Sequence, residues 1–200
     1  MKNQVVVIHG GHVLAKREDI VSYLNNKNVK IEDFKPKKGW KENLENTLKD
    51  LEFLYPKMPN KEDAKYSEWK AWFERLIPFL NDDVLFVGHS LGGLFLIKYL
   101  SENLFPKKIK AIFLVAAPHD GRNQKHVLGT FTQGSDVSGM ADQGNKIYFY
   151  HSKDDAVVPF SDFEKYQSKF PRATFRTFED KGHFNDERFD ELVEDIKNLL

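Results

Sequence analysis

Four short stretches, QVVVIH at 4–9, VLFV at 84–87, IKAIFLVAA at 109–117 and KIYFYHS at 146–152, are largely apolar and rich in branched and aromatic residues. Continuous apolar runs of this length predict strands buried on both faces, as in a parallel sheet. Two weaker runs, FLYP near 53 and ATFRTF at 173–178, predict further strands. Between the runs the apolar spacing changes to three and four residues. Tyr66, Trp69, Trp72, Phe73, Leu76, Ile77 and Leu80 mark a helix whose stripe reads as core, with Asn60 as its N-cap and Pro78 disturbing or ending it. Trp40, Leu44, Thr47, Leu48 and Leu51 mark a second helix, and Phe189, Leu192, Val193, Ile196 and Leu200 a third. Ser161-Asp162-Phe163-Glu164 has the spacing of a capping box, so a helix should open there and end before Pro171. This alternation of strand and helix predicts an α/β domain, a mostly parallel sheet with helices on both faces. The stretch 117–145 mixes Gly, Asp and Ser without period, and a loop of that length is expected to line a site.

Composition narrows the classes. A chain of 200 residues suits one domain, 1–200, with a sizeable core. Thirty basic residues balance thirty acidic ones, leaving no net field for nucleic acid or an anionic membrane, so neither is an expected partner. The lack of cysteine excludes disulfides, a thiolate nucleophile and Cys-ligated metals. The first apolar run is too short for a signal-peptide core, and no run approaches the roughly 20 residues that span a bilayer; a soluble cytoplasmic protein is expected.

The candidate chemistry begins where VLFV runs into Gly88-His89-Ser90-Leu91-Gly92. This is G-x-S-x-G after a buried strand and before the helical pattern of Leu91, Leu94, Phe95, Ile97 and Tyr99, the context a nucleophile elbow requires. A serine hydroxyl needs a base to take its proton and an acid to orient that base. In hydrolase order the acid and then the histidine follow the serine. The strand at 146–152 ends in Asp154 and Asp155, and Phe178 to Asn185 places His183 after Gly182, which permits a tight turn. Asp154, and less readily Asp180, compete with Asp155 for the acid. His89 should point away from the nucleophile and pack. His9 and His12 are expected to shape the loop after the first strand rather than bind metal, since two further ligands are not apparent. His119, His126 and His151 read as structural or solvated, and KPKKGWK at 35–41 as a solvated loop and helix start.

With these residues in view the chain resembles the α/β-hydrolases, and within them the small serine hydrolases related to retinoblastoma-binding protein nine. The resemblance runs through HGG at 9–11, YPKMPN at 55–60, GHSLGG at 88–93, DDAVVP at 154–159 and KGHFN at 181–185. It implies Ser90 as nucleophile, Asp155 of D-x-x-V-P as acid, His183 as base, and an oxyanion hole from the backbone N–H groups of Gly11 and Leu91. The first strand is already the HG strand, so the two leading strands of larger members are missing. A minimal fold of about six mostly parallel strands without a separate cap domain is implied. The activity implied is that of a carboxylesterase-like serine hydrolase cleaving small soluble acyl esters through an acyl-enzyme, with no cofactor or metal. Amide, peptide or thioester hydrolysis, a transferase or lyase on the same scaffold, and a protein-interaction module with vestigial activity are the alternatives.

Overall fold

In the computed structural model, which describes residues 2–35, 39–119, 128–132, 136–144 and 146–200, all six anticipated strands form. They are β1 Gln4–Ile8, β2 Glu52–Leu54, β3 Val84–His89, β4 Ile109–Val115, β5 Ile147–Ser152 and β6 Thr174–Phe178. They pair parallel throughout, in the order β2-β1-β3-β4-β5-β6. After β1 the chain runs out to β2 on one side and then returns to β3 on the other. The crevice beyond the carboxyl ends of β1 and β3 is therefore the switch point of the sheet, where ligands bind in open α/β folds.

Alternation along the strands sorts side chains into two cores. Val6, Ile8, Phe86, Ile112, Leu114, Ile147 and Phe149 face one side, where α3 (Tyr66–Leu76), α4 (Leu91–Glu102) and α6 (Phe160–Lys169) cover them with Trp69, Phe73, Phe95, Phe163 and Tyr166. Val5, Val7, Leu85, Val87, Phe113, Val115, Tyr148 and Tyr150 face the other, under α2 (Trp40–Thr47) and α7 (Asp190–Lys197) with Trp40, Leu44, Leu192 and Ile196. Helix α4 is buried nearly all round, which fits the continuous apolar sequence after Ser90.

Several local expectations are corrected. Helix α3 opens at Tyr66, not near Asn60; residues 60–64 turn instead, with Asn60 in the left-handed region at φ 48° and Asp63 N–H donating to Asn60 O. Pro78 does end the α-helix, which tightens into a 3-10 turn, Ile77–Phe79. Trp72 lies half exposed on the outer side of α3, so the aromatic stripe is core only at Tyr66, Trp69 and Phe73. Ser161 is not an N-cap: α6 starts at Phe160 behind Pro159, and the buried Asp162 carboxylate accepts the His119 backbone N–H at 2.8 Å. Helix α1, Ile20–Asn26, was not expected; it buries no residue and is tied down by stacking of Tyr23 on His12 and by ion pairs from Arg17 to Asp63 and Lys27 to Glu62. Within 117–145 the described part holds a 3-10 turn, Gly129–Phe131, and α5, Ser138–Gln143; His126 lies outside the described residues.

Candidate active site

Ser90 stands between the last residue of β3 and the first of α4 at φ 53°, ψ −123°, a conformation L-residues rarely adopt. Its N–H donates to Val115 O at 2.8 Å, and its carbonyl accepts the N–H of Gly93 and Leu94, so both sides of the turn are fixed. The glycines are dictated by contact. A Cβ on Gly88 would lie 2.7 Å from Gly93 Cα, and one on Gly92 would meet the carbonyls of Ile8 and, at 2.6 Å, His9. The elbow can form only because these positions carry no side chain.

The loop after β1 closes against this elbow. A Cβ on Gly10 would sit 3.6 Å from Ser90 Oγ, and one on Gly11 would sit 3.2 Å from Leu91 Cδ2. Leu91 opens α4, so its N–H has no acceptor within the helix. His9 holds the loop from beneath: Nδ1–H donates to Gly10 O at 2.6 Å, and Nε2 accepts the Met58 N–H at 2.9 Å. Both ring nitrogens are thus committed, which fits the loop-shaping role over a metal pair with His12. Burial lowers the His9 pKa, as the neutral tautomer requires. His12 N–H to Lys61 O and Ala64 N–H to His12 O fasten the rest of the loop.

The carboxylate that meets His183 is Asp155. Its Oδ2 lies 2.8 Å from His183 Nδ1, while Oδ1 accepts the N–H groups of Val157 at 2.8 Å and Val158 at 3.0 Å. Asp155 is buried and His183 half-buried. Asp154 turns the other way: its Oδ1 accepts Ser152 Oγ–H at 2.5 Å and Gly182 N–H at 2.8 Å, and these bonds lower its pKa. Ser152 Oγ in turn accepts the Lys181 N–H at 3.0 Å. His151, buried beside the turn that Asp155 begins, donates Nε2–H to Val158 O at 2.9 Å, and burial lowers its pKa.

His89 sets its ring against Trp40 and does more than pack. Its Nε2–H donates to His183 O at 3.0 Å, and the two rings lie 4.9 Å apart. Burial drives its pKa well down. Trp40 donates its indole N–H to Phe184 O at 2.8 Å and sets its ring edge-on to His89. Trp40, Ser152 and Met58 also hold the site's loops, and no motif in the sequence marks them. Only the indole N–H, which a buried Trp must satisfy, could have signalled Trp40. Among the described residues no group of three or more His, Asp and Glu side chains is placed to share a metal ion.

A serine on a left-handed elbow at the switch point of an open parallel sheet is the arrangement of the α/β-hydrolase class. The family described as serine hydrolase matches residues 34–199, and the chain belongs to it. Serine hydrolase RBBP9 of Rattus norvegicus is 22% identical over 164 residues, covering 81% of this chain and 85% of the relative. Putative hydrolase YdeN of Bacillus subtilis (strain 168) is 29% identical over 137 residues, covering 68% and 72%. The crystal structure of the B. subtilis ydeN gene product superposes with a TM-score of 0.78 at 20% identity over 98% of both chains. The thioesterase domain from the curacin biosynthetic pathway superposes with a TM-score of 0.60 at 13% identity, covering 98% of this chain and 91% of that one. The protein is thus a small α/β serine hydrolase related to RBBP9.

Proposed function

We propose that the protein is a carboxylesterase-like hydrolase that cleaves small soluble acyl esters with Ser90 as nucleophile, His183 as base and Asp155 as acid. One observation carries this reading: His183 Nδ1 meets buried Asp155 at 2.8 Å on a loop hydrogen-bonded to His89, the residue before Ser90. With Nδ1–H committed to Asp155, Nε2 is the basic nitrogen. Ser90 Oγ attacks the ester carbonyl and passes its proton to Nε2. The oxyanion is held by the N–H groups of Gly11 and Leu91, each such donor being worth roughly 3 to 4 kcal/mol. Collapse expels the alcohol, which takes the proton from His183. Water, deprotonated by the same imidazole, then attacks the acyl-enzyme and releases the carboxylic acid and free Ser90.

Small substrates are favoured because, among the described residues, the segments between the strands are occupied by the covering helices and turns rather than by an inserted cap. Balanced charge supports a small-molecule partner rather than nucleic acid or a membrane, and we take the setting as cytoplasmic. Among the described residues no helix is long and apolar enough to cross a membrane.

The test is intact mass after exposure to a fluorophosphonate, with Ser90→Ala and His183→Ala alongside, followed by a panel of esters, thioesters and amides of increasing acyl length. A single adduct lost in Ser90→Ala, with turnover greatest on short-chain esters, is the expected result. No adduct on folded protein would overturn it, and a steep rise in rate at substrate micelle formation would overturn the preference for small soluble esters.

A further inference from the structure

We infer that His89 and Trp40 are positioning residues for the base: their ring N–H groups hold two successive carbonyls, His183 O and Phe184 O, and so set the direction in which the His183 imidazole leaves the backbone. This rests on the reading of His183 as base.

A peptide unit is planar, so a hydrogen bond to its N–H or C=O restrains the whole unit. From Asp180 to Asn185 there are five such units, and four are held. Ser152 Oγ takes the Lys181 N–H and Asp154 Oδ1 the Gly182 N–H. His89 holds the unit after His183 at 3.0 Å, and that unit's N–H, on Phe184, donates to Lys181 O. Trp40 holds the unit after Phe184 at 2.8 Å. The unit between Gly182 and His183 is thereby bracketed on both sides, which fixes the Cα–Cβ vector of His183.

The loop would not keep this course unaided. Gly182 at φ 50° and Phe184 at φ 53° both lie in the left-handed region, and for Phe184 that conformation is strained. Such strain persists only where surroundings over-determine it. Here the Phe184 ring is buried against Phe178 and Phe189, while Trp40 holds its carbonyl and donates its own backbone N–H to Asp186 O at 3.1 Å. Asn43 Nδ2, one turn further along α2, reaches Glu187 O at 2.7 Å. The loop bearing the base is thus gripped from the start of α2 and the end of β3. Because His89 is covalently joined to Ser90, its bond to His183 O ties the base loop directly to the elbow.

Trp40→Phe keeps an aromatic ring and removes the donor; His89→Leu removes the donor and His89→Gln restores one. Each is measured for kcat and KM on an activated short-chain ester, for melting temperature, and for the downfield proton resonance of His183 Nδ1–H. Trp40→Phe and His89→Leu are expected to lower kcat about 10- to 100-fold with KM nearly constant, since displacing a reacting group by about an ångström has that cost. Both should shift or broaden the downfield resonance, and His89→Gln should restore most of kcat and the resonance. Folded Trp40→Phe and His89→Leu proteins with unchanged kcat and an unchanged resonance would overturn the inference. If the wild-type protein hydrolyses no ester yet its resonance is disturbed in both variants, the positioning role stands and the esterase reading falls.

Discussion

Asp154 Oδ1 accepts the Gly182 N–H at 2.8 Å, although the adjacent Asp155 is the residue that meets His183. Two neighbouring carboxylates thus serve the same loop, one at its side chain and one at its backbone. Asp155→Asn should lower kcat by about 10⁴-fold, because an amide neither fixes the tautomer nor balances the imidazolium. Asp154→Asn should lower it only about tenfold, through a looser loop. Steady-state rates of the two variants at neutral pH check this, and equal losses would mean that both carboxylates act on the imidazole.

Acid should weaken the fold before the carboxylates titrate. His9, His89 and His151 all have pKa values lowered from 6.5, first by burial, so the native state favours their neutral forms. Above that value both states are neutral at these sites and nothing is lost. As pH falls through it the unfolded chain takes up protons that the native state refuses, and stability declines. Urea midpoints should therefore drop between about pH 7.5 and about pH 5.5. His89→Gln should shrink that drop; an undiminished one would place the sensitivity elsewhere.

Gly92→Ala should be poorly tolerated. The added methyl would press on the carbonyls of Ile8 and His9, which are backbone and have no free rotamer to retreat into. A loss of about 3 kcal/mol in urea unfolding is expected, at the upper end for overpacking. Any variant that folds should label slowly with fluorophosphonate, because Ser90 shares the turn.

His9→Leu should act on rate more than on affinity. It deletes the bonds to Gly10 O and Met58 N–H that shape the loop beside Ser90. A fall in kcat of about 10²-fold is expected if Gly11 donates to the oxyanion, comparable to loss of one donor. An unchanged kcat in the folded variant would remove the Gly11 loop from the mechanism.

Most of the frame could be read from the chain because its signals are local. VLFV is apolar without a break, and glycines flank Ser90 where no Cβ fits, so both the strand and the elbow were legible. The D-x-x-V-P stretch is local in the same way: its aspartate, Asp155, caps the turn it begins, accepting the N–H groups of Val157 and Val158. What escaped was settled at long range. Asn60 has an N-cap side chain, but residues 60–64 are drawn into a turn by the loop at His12, and the helix waits until Tyr66. Ser161 and Glu164 have the capping-box spacing, yet α6 opens at Phe160, one residue before Ser161. Trp40 reads as one more apolar residue in a helical stripe; its polar atom matters only because Phe184 returns to it from 144 residues away.

That separation bears on how the protein comes into being. Ser90 and its glycines lie mid-chain, while the His183 loop follows the last strand of the sheet and is held by residues 40, 89, 152 and 154 together. Parallel pairing with long crossovers folds slowly, because distant segments must meet before contacts reward them. Synthesis proceeds from the N-terminus, so a nascent chain carries Ser90 well before it has His183. If His183 is the base for Ser90, as proposed, labelling of that serine during refolding is expected to report the arrival of the last native contacts.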